Sequence, residues 1–261
     1  MAQLRPVTLI TGASAGIGAA LARVFAAHRH EVVLVARREQ ILSKLADDIV
    51  ASGGTRPLVL RADVARIDAS RRIAEALAAM GVEPDNVVNN AGFGLVGQAT
   101  TLDRGEQLAM IDLNVRALTD LSLAFTASLE RRQGGILNVA SVASFLPGPG
   151  MAVYYASKAY VLSFSEALHQ ELAPKGVRVT ALCPGPVPTE FQARAGDKTM
   201  RYPRMLVRTA ERVAAEGYLG LQEGRRVVIP GFPNRLIAAL APLMPRAWLL
   251  QRLAARNRDR V

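Results

Sequence analysis

The chain has 261 residues, half of them apolar, enough to bury a substantial core as one large α/β domain or two small ones. A single cysteine, Cys183, excludes an internal disulfide and fits a reducing compartment, and His28, His30 and His169 stand far from any second cysteine, so no metal site is expected. Lysine and arginine exceed aspartate and glutamate by ten, but the arginines are scattered without interleaved aromatics, which favours solvated faces over a nucleic-acid surface.

The first residues, Met-Ala-Gln-Leu-Arg-Pro, lack the charged, apolar and small-residue series of a signal peptide, and no run of about 18 apolar residues occurs. A soluble, cytoplasmic chain is expected. Val7–Ile10 reads as a strand that ends in Thr11-Gly12-Ala13-Ser14-Ala15-Gly16-Ile17-Gly18 and passes into the helical pattern from Ala19 to Phe25. Strand, glycine turn and helix follow in the order a phosphate site requires, since glycines admit a pyrophosphate and the N–H groups of the helix start point at it. Alone, such a loop is also a plain strand-to-helix turn; at the head of an alternating β/α chain it points to a dinucleotide. Glu31–Ala36 is the second strand, and Arg37 and Arg38 follow at its carboxyl end, where no carboxylate is available for a ribose 2′-OH. Two guanidiniums there favour a 2′-phosphate, hence NADP(H), against the alternative that they merely end a strand.

A charged helix is expected over Arg38–Val50 and a third strand over Arg56–Ala62, with Asp63 at its carboxyl end where an adenine is read. Ile67–Met80 has helical periodicity, and Asn86–Val88 opens a fourth strand ending in Asn89-Asn90-Ala91-Gly92. Small residues there let the chain pass close under a cofactor; asparagines bracing neighbouring strands are an equal reading. Thr101–Glu130 reads as one long helix with Asn114 in an otherwise apolar region, a buried amide that needs partners. Gly135–Ala140 is a fifth strand with Ser141 at its carboxyl end. The next helix carries Tyr154 and Lys158 at i and i+4, on one face, where an ammonium favours a phenolate and lowers the phenol's pKa. A tyrosine so placed serves as general acid or base. Val177–Leu182 is a sixth strand leading to Cys183-Pro184-Gly185, residues 190 to 225 read as the most irregular stretch, and Arg226–Ile229 forms a last strand.

Taken together, Thr11-Gly12-x-x-x-Gly16-x-Gly18, Asn89-Asn90-Ala91-Gly92, Asn114, Ser141, Tyr154-x-x-x-Lys158 and Pro184-Gly185 resemble the short-chain dehydrogenase/reductase family from Val7 to about Ile229. The resemblance implies a Rossmann-type doubly wound parallel sheet of about seven strands with helices on both faces, in residues 1–231, followed by a short helical extension, 232–261. It implies a metal-independent NADP(H) oxidoreductase with Tyr154 as acid/base and Lys158 lowering its pKa and binding the nicotinamide ribose. Ser141 holds the substrate oxygen, and Asn114 anchors a proton-relaying water. Cofactor contacts are implied for Gly12, Ser14, Gly16, Ile17, Gly18, Arg37, Arg38, Asp63, Val64, Asn90, Ala91, Gly92, Tyr154, Lys158, Pro184, Gly185, Val187 and Thr189.

Phe93, Leu95, Phe145, Leu146, Met151, Val187 and Phe191 flank the motifs and either line a pocket for a lipophilic carbonyl or alcohol or pack as ordinary core. A catalytically silent NADP(H)-binding sensor is the alternative function; nucleic-acid binding lacks a motif. The long helix and the Tyr154 helix, with small residues at Ala156, Ala159 and Ser163, are expected to pair across a two-fold axis in a homodimer or homotetramer. In the tail, Pro242 and Pro245 separate two apolar pieces flanked by Arg246, Arg252, Arg256, Arg258 and Arg260, opposed only by Asp259. That tail either packs on the domain or a partner subunit, or makes weak peripheral contact with an anionic membrane.

Overall fold

The structure is a computed structural model that describes residues 4–196 and 202–258, with side chains through Ala255. Its strands are β1 (Arg5–Thr11), β2 (Val32–Ala36), β3 (Leu58–Arg61), β4 (Val82–Asn89), β5 (Gly135–Val139), β6 (Arg178–Leu182) and β7 (Val227–Val228). Its helices are α1 (Gly16–Ala27), α2 (Glu39–Ala51), α3 (Ala69–Ala79), α4 (Arg104–Ile111), α5 (Leu118–Ala124), α6 (Thr126–Arg132), α7 (Ala152–Leu172), α8 (Glu190–Arg194), α9 (Ala210–Gln222), α10 (Phe232–Leu240) and α11 (Arg246–Arg258). The strands form one parallel sheet in the order β3-β2-β1-β4-β5-β6-β7.

The strands are near-continuous apolar runs because both sheet faces are covered, and successive side chains point to opposite sides. Ile10, Leu34, Val88 and Leu137 join one core with Leu21 and Phe25 of α1, Leu42 and Ile49 of α2, and Val213 and Leu221 of α9. Their strand neighbours Leu9, Val33, Val87 and Ile136 join the other, with Ile73 of α3, Leu121 of α5, Leu129 of α6 and Leu168 of α7. Each large apolar side chain so buried contributes about 1.5–3 kcal/mol. One consequence positions the site: strand order reverses between β1 and β4, which leaves a crevice at their carboxyl ends between the turn after β1 and the loop after β4.

Three expectations are corrected. The segment 101–130 is not one helix. It starts after Asp103, whose Oδ1 accepts from Glu106 N at 2.8 Å, widens into a π-turn over Asp112–Ala117, and breaks at Phe125 between α5 and α6. No glycine or proline marks either irregularity, so sequence periodicity alone passes over them. The stretch 190–225 contains a regular 13-residue helix, α9, started by Thr209, whose hydroxyl accepts from Arg212 N; residues 197–201 lie outside the described residues. Finally, β4 starts at Val82 despite Pro84, because the register to β1 slips there and the missing N–H falls at an irregularity.

Candidate active site

The turn after β1 opens α1 at Gly16. Ala15 supplies no capping side chain and the first turn holds no carboxylate, so the first N–H groups and the positive end of the helix face the crevice. Glycine is required sterically: a Cβ on Gly18 would stand 2.3 Å from the Gly12 carbonyl and 2.4 Å from Asn90 Nδ2. The loop after β4 is tied to the same turn. Thr11 Oγ1 accepts from Asn90 N at 3.0 Å and Ala91 N at 3.2 Å, while Asn90 Nδ2 donates to the Thr11 and Gly12 carbonyls at 3.0 and 3.2 Å. Beneath them Asn89 Nδ2 donates to Asn138 Oδ1 and Ser122 Oγ, both at 2.9 Å, bracing β4 to β5 and α5. The bracing reading of this motif is therefore realised twice, by Asn89 toward β5 and α5 and by Asn90 toward the turn after β1.

At the end of β2, Arg38 reaches Ser14 in the glycine turn. Its Nε and Nη2 donate to Ser14 Oγ at 3.2 and 3.0 Å, and its Nη1 pairs with Glu190 of α8 at 2.9 Å. Arg37 instead lines a cleft of about 480 Å³ with Arg61, Ala62, Asp63, Arg66 and Arg72, at the carboxyl ends of β2 and β3. Asp63 lies there, its Oδ1 accepting from Ala65 N at 3.0 Å. Val64 and Val187 have buried side chains in the two cores, so only their backbones are available to a ligand.

On the other side of the crevice, α7 carries Tyr154 and Lys158. Lys158 is buried and its Nζ donates to the Val139 carbonyl at the end of β5, at 2.7 Å. Burial lowers the ammonium pKa to about 8. Tyr154 is enclosed by protein yet keeps part of its surface on the cleft, between Phe191, with ring centroids 5.4 Å apart, and Tyr155 at 6.0 Å. Burial pushes the phenol up to about 12, against a hydrogen bond with Ser141 that lowers it, so the net direction is opposite to that expected from a neighbouring ammonium alone. The reason is geometric and dielectric, since the Lys158 proton is given to a carbonyl and the enclosed phenolate loses its water. Ser141 Oγ also accepts from Ala143 N at 3.1 Å, which fixes the hydroxyl at the start of the turn Val142–Phe145.

Asn114 is fully buried in the π-turn. Its Nδ2 donates to the Phe93 carbonyl at 2.9 Å and Ser157 Oγ at 3.1 Å, and its Oδ1 accepts from Phe93 N at 3.1 Å. The amide thus holds the Gly92–Phe93 loop against α7. A Cβ on Gly92 would come 2.9 Å from Asn114 Oδ1 and 3.5 Å from Lys158 Nζ, so the three residues converge. The loop after β6 closes the crevice: Pro184 O accepts from Val142 N at 2.9 Å, and Thr189 caps α8 and lies on Gly16, where an added Cβ would meet its Cγ2 at 2.8 Å.

Of the apolar candidates, Leu95 and Met151 share a crevice with Tyr154, and Phe191 packs on Tyr154. Phe93 lies under the Arg194 guanidinium, whereas Phe145 and Val187 pack on the core. Sequence reading missed Thr11, Ser157 and Glu190. Thr11 and Ser157 stand inside the motifs and signal themselves by position; Glu190 meets Arg38 only through the fold. It also missed Asn234 of α10, which lies against Gly185 and donates to the Leu206 and Pro230 carbonyls at 3.1 and 2.9 Å.

These features fit a dinucleotide: a glycine turn whose added Cβ atoms would collide, an uncapped helix start, and a serine–arginine pair at the second strand. Comparison with known proteins agrees. A family model described as short chain dehydrogenase matches residues 6–199. Sulfoacetaldehyde reductase 2 of Chromohalobacter salexigens is 37% identical over 188 residues, 71% of this chain and 74% of the relative. Two other curated relatives are longer, and the match covers 60% of one and 32% of the other. Among solved structures, a short-chain dehydrogenase from Sphingobium yanoikuyae in complex with NADPH superposes with a TM-score of 0.78 at 32% identity, covering 90% of this chain and 92% of that one. A bulky-bulky ketone specific alcohol dehydrogenase from Comamonas testosteroni does so with a TM-score of 0.75 at 30% identity, covering 93% and 94%. With the motif residues converging as described, the chain belongs to the short-chain dehydrogenase/reductase family of nucleotide-binding oxidoreductases.

Proposed function

We propose that the protein is an NADP(H)-dependent reductase that interconverts a lipophilic ketone and its secondary alcohol, with Tyr154 as the proton donor. The observation that carries this reading is the grouping of Tyr154, Ser141 and Lys158 at the mouth of the crevice, with an apolar wall of Leu95, Met151 and Phe191 beside the phenol. NADP(H), when bound, supplies or accepts the hydride. The glycine turn, Asn90 and Thr189 would hold its pyrophosphate side, Ser14 with Arg38 and Arg37 its 2′-phosphate, and Asp63 its adenosine end.

The chain's own groups handle the proton. A phenol with a pKa near 12 is protonated at neutral pH, so Tyr154 is poised to give its proton to the alkoxide oxygen that develops as a carbonyl is reduced. Ser141 supplies a second donor to the same oxygen. Lys158, with a pKa near 8, carries its proton at neutral pH and favours any negative charge forming beside it. Asn114 is a positioning residue that holds Gly92 and Phe93 in place. The Sphingobium protein is in complex with NADPH and the Comamonas enzyme is specific for bulky-bulky ketones, which supports this reading.

The reading extends to assembly and place. Leu108 and Ile111 of α4, Leu123 of α5 and Tyr160 of α7 are exposed, which suits pairing of these helices across a two-fold axis. The one cysteine, Cys183, is free and buried, consistent with a cytoplasmic enzyme. The test is NADPH oxidation against a panel of aliphatic, aromatic and acyl-chain ketones, with Tyr154→Phe alongside. Turnover of apolar ketones that falls at least about 100-fold in Tyr154→Phe, with NADPH affinity retained, supports the proposal. Retention of more than about a tenth of the rate refutes Tyr154 as the acid.

A further inference from the structure

The tail helix α10 has two faces. Asn234, Ala238 and Ala241 are buried on the domain, where Asn234 locks against Gly185 beside the candidate active site. The opposite face is apolar and bare: Phe232 is 73% exposed, Leu236 47%, Leu240 41%, and Leu243, just beyond, 79%. Phe232, Leu236 and Leu240 stand at i, i+4 and i+8, one stripe along the helix. In α11, Trp248 is 48% exposed and Arg252 lies over its ring at 5.3 Å. Exposed apolar residues occur singly on any protein; a continuous stripe, followed in the next helix by an exposed tryptophan, marks an interaction surface.

Charge selects the partner. Between Phe232 and Ala255 the sequence has three arginines, Arg235, Arg246 and Arg252, and neither aspartate nor glutamate; Arg235 pairs with Glu216 of α9 at 3.7 Å, so the charge beside the stripe comes from Arg246 and Arg252. A second copy of the chain related by a two-fold axis would bring this basic patch against itself, which is unfavourable. An anionic lipid surface meets both demands, taking the apolar stripe at its acyl boundary, the arginines at its headgroups and the tryptophan between. Among the described residues no helix is long and apolar enough to cross a membrane, so contact is in the plane of the surface. We infer that the α10–α11 face is a peripheral docking surface for anionic membranes. Because Asn234 packs against Gly185 while its amide donates to Leu206 O and Pro230 O, docking of α10 sets the crevice close to the lipid.

The test uses the full chain and is independent of turnover. Sedimentation with phosphatidylglycerol–phosphatidylcholine vesicles is compared with phosphatidylcholine alone, at low and high salt. The expected result is binding to the anionic vesicles only, weakened at least about tenfold by salt, by the double variant Leu236→Glu/Leu243→Glu, and by Arg246→Ser/Arg252→Ser. Val50→Glu, an exposed apolar position on α2, leaves vesicle binding unchanged and controls for general surface charge. All these side chains are exposed, and an unchanged melting temperature verifies folding of each variant. No binding to either vesicle, equal binding to both, or full binding by Leu236→Glu/Leu243→Glu overturns the inference. So does a dimer in light scattering that Leu236→Glu/Leu243→Glu converts to monomer, since the stripe then covers a second copy.

Discussion

Lys158 offers a test in which activity and stability move in opposite directions. Its ammonium is buried, with one hydrogen bond, to Val139 O at 2.7 Å, and its pKa falls from 10.5 to about 8. The difference of about 2.5, at 1.36 kcal/mol for each pH unit, makes the charged lysine cost the folded, cofactor-free protein about 3 kcal/mol. The sign follows from proton counting. Below pH 8 the lysine is charged in both states and the whole cost is present. Between pH 8 and 10.5 the unfolded chain still binds the proton while the folded one has released it, so stability rises with pH; above 10.5 the cost has gone. Lys158→Met keeps the length and removes the charge, but leaves the Val139 carbonyl without its donor, a loss of about 1–3 kcal/mol. The variant is therefore expected to be more stable than wild type by about 1 kcal/mol near pH 7 and less stable by a similar amount near pH 10, while its turnover collapses. Urea unfolding of both cofactor-free proteins at the two pH values measures the difference, in which all other titrations cancel. A stability difference of the same sign and size at both pH values refutes the argument.

Other perturbations follow from single contacts. Gly18→Ala forces a methyl to 2.3 Å from the Gly12 carbonyl and should weaken NADPH binding more than about tenfold by fluorescence titration, because the turn must open to admit it. Asn114→Ala strips the Phe93 N–H and C=O of their partners, and a loss of about 2–4 kcal/mol in thermal unfolding is expected together with a fall in kcat. Glu190→Gln removes the carboxylate that shares Arg38 with Ser14; it should change stability by less than about 1 kcal/mol, as expected of an exposed pair, and tighten NADPH but not NADH in equilibrium titrations.

Much of this protein was legible in its residues because the governing interactions are local. Apolar runs of strand length, the glycine turn after β1, and the i, i+4 placement of Tyr154 and Lys158 depend on neighbours a few positions away, and the family resemblance rests on those same motifs. Parallel order followed from alternation of strand and helix. Tertiary structure decided what depends on distant partners. The π-turn at Asn114 carries no glycine or proline; it coincides with an amide whose partners, Phe93 and Ser157, come from two other segments. The start of β4 was hidden by Pro84, since only the slipped register to β1 shows that its lost N–H is tolerated. Glu190 became the partner of Arg38, and Asn234 the buttress of Gly185, through loops far apart in the chain. The direction of the Tyr154 pKa was a tertiary property above all. Spacing brings an ammonium and a phenol to one helix face, but burial of the phenol and the turn of Lys158 toward Val139 O decide which effect wins.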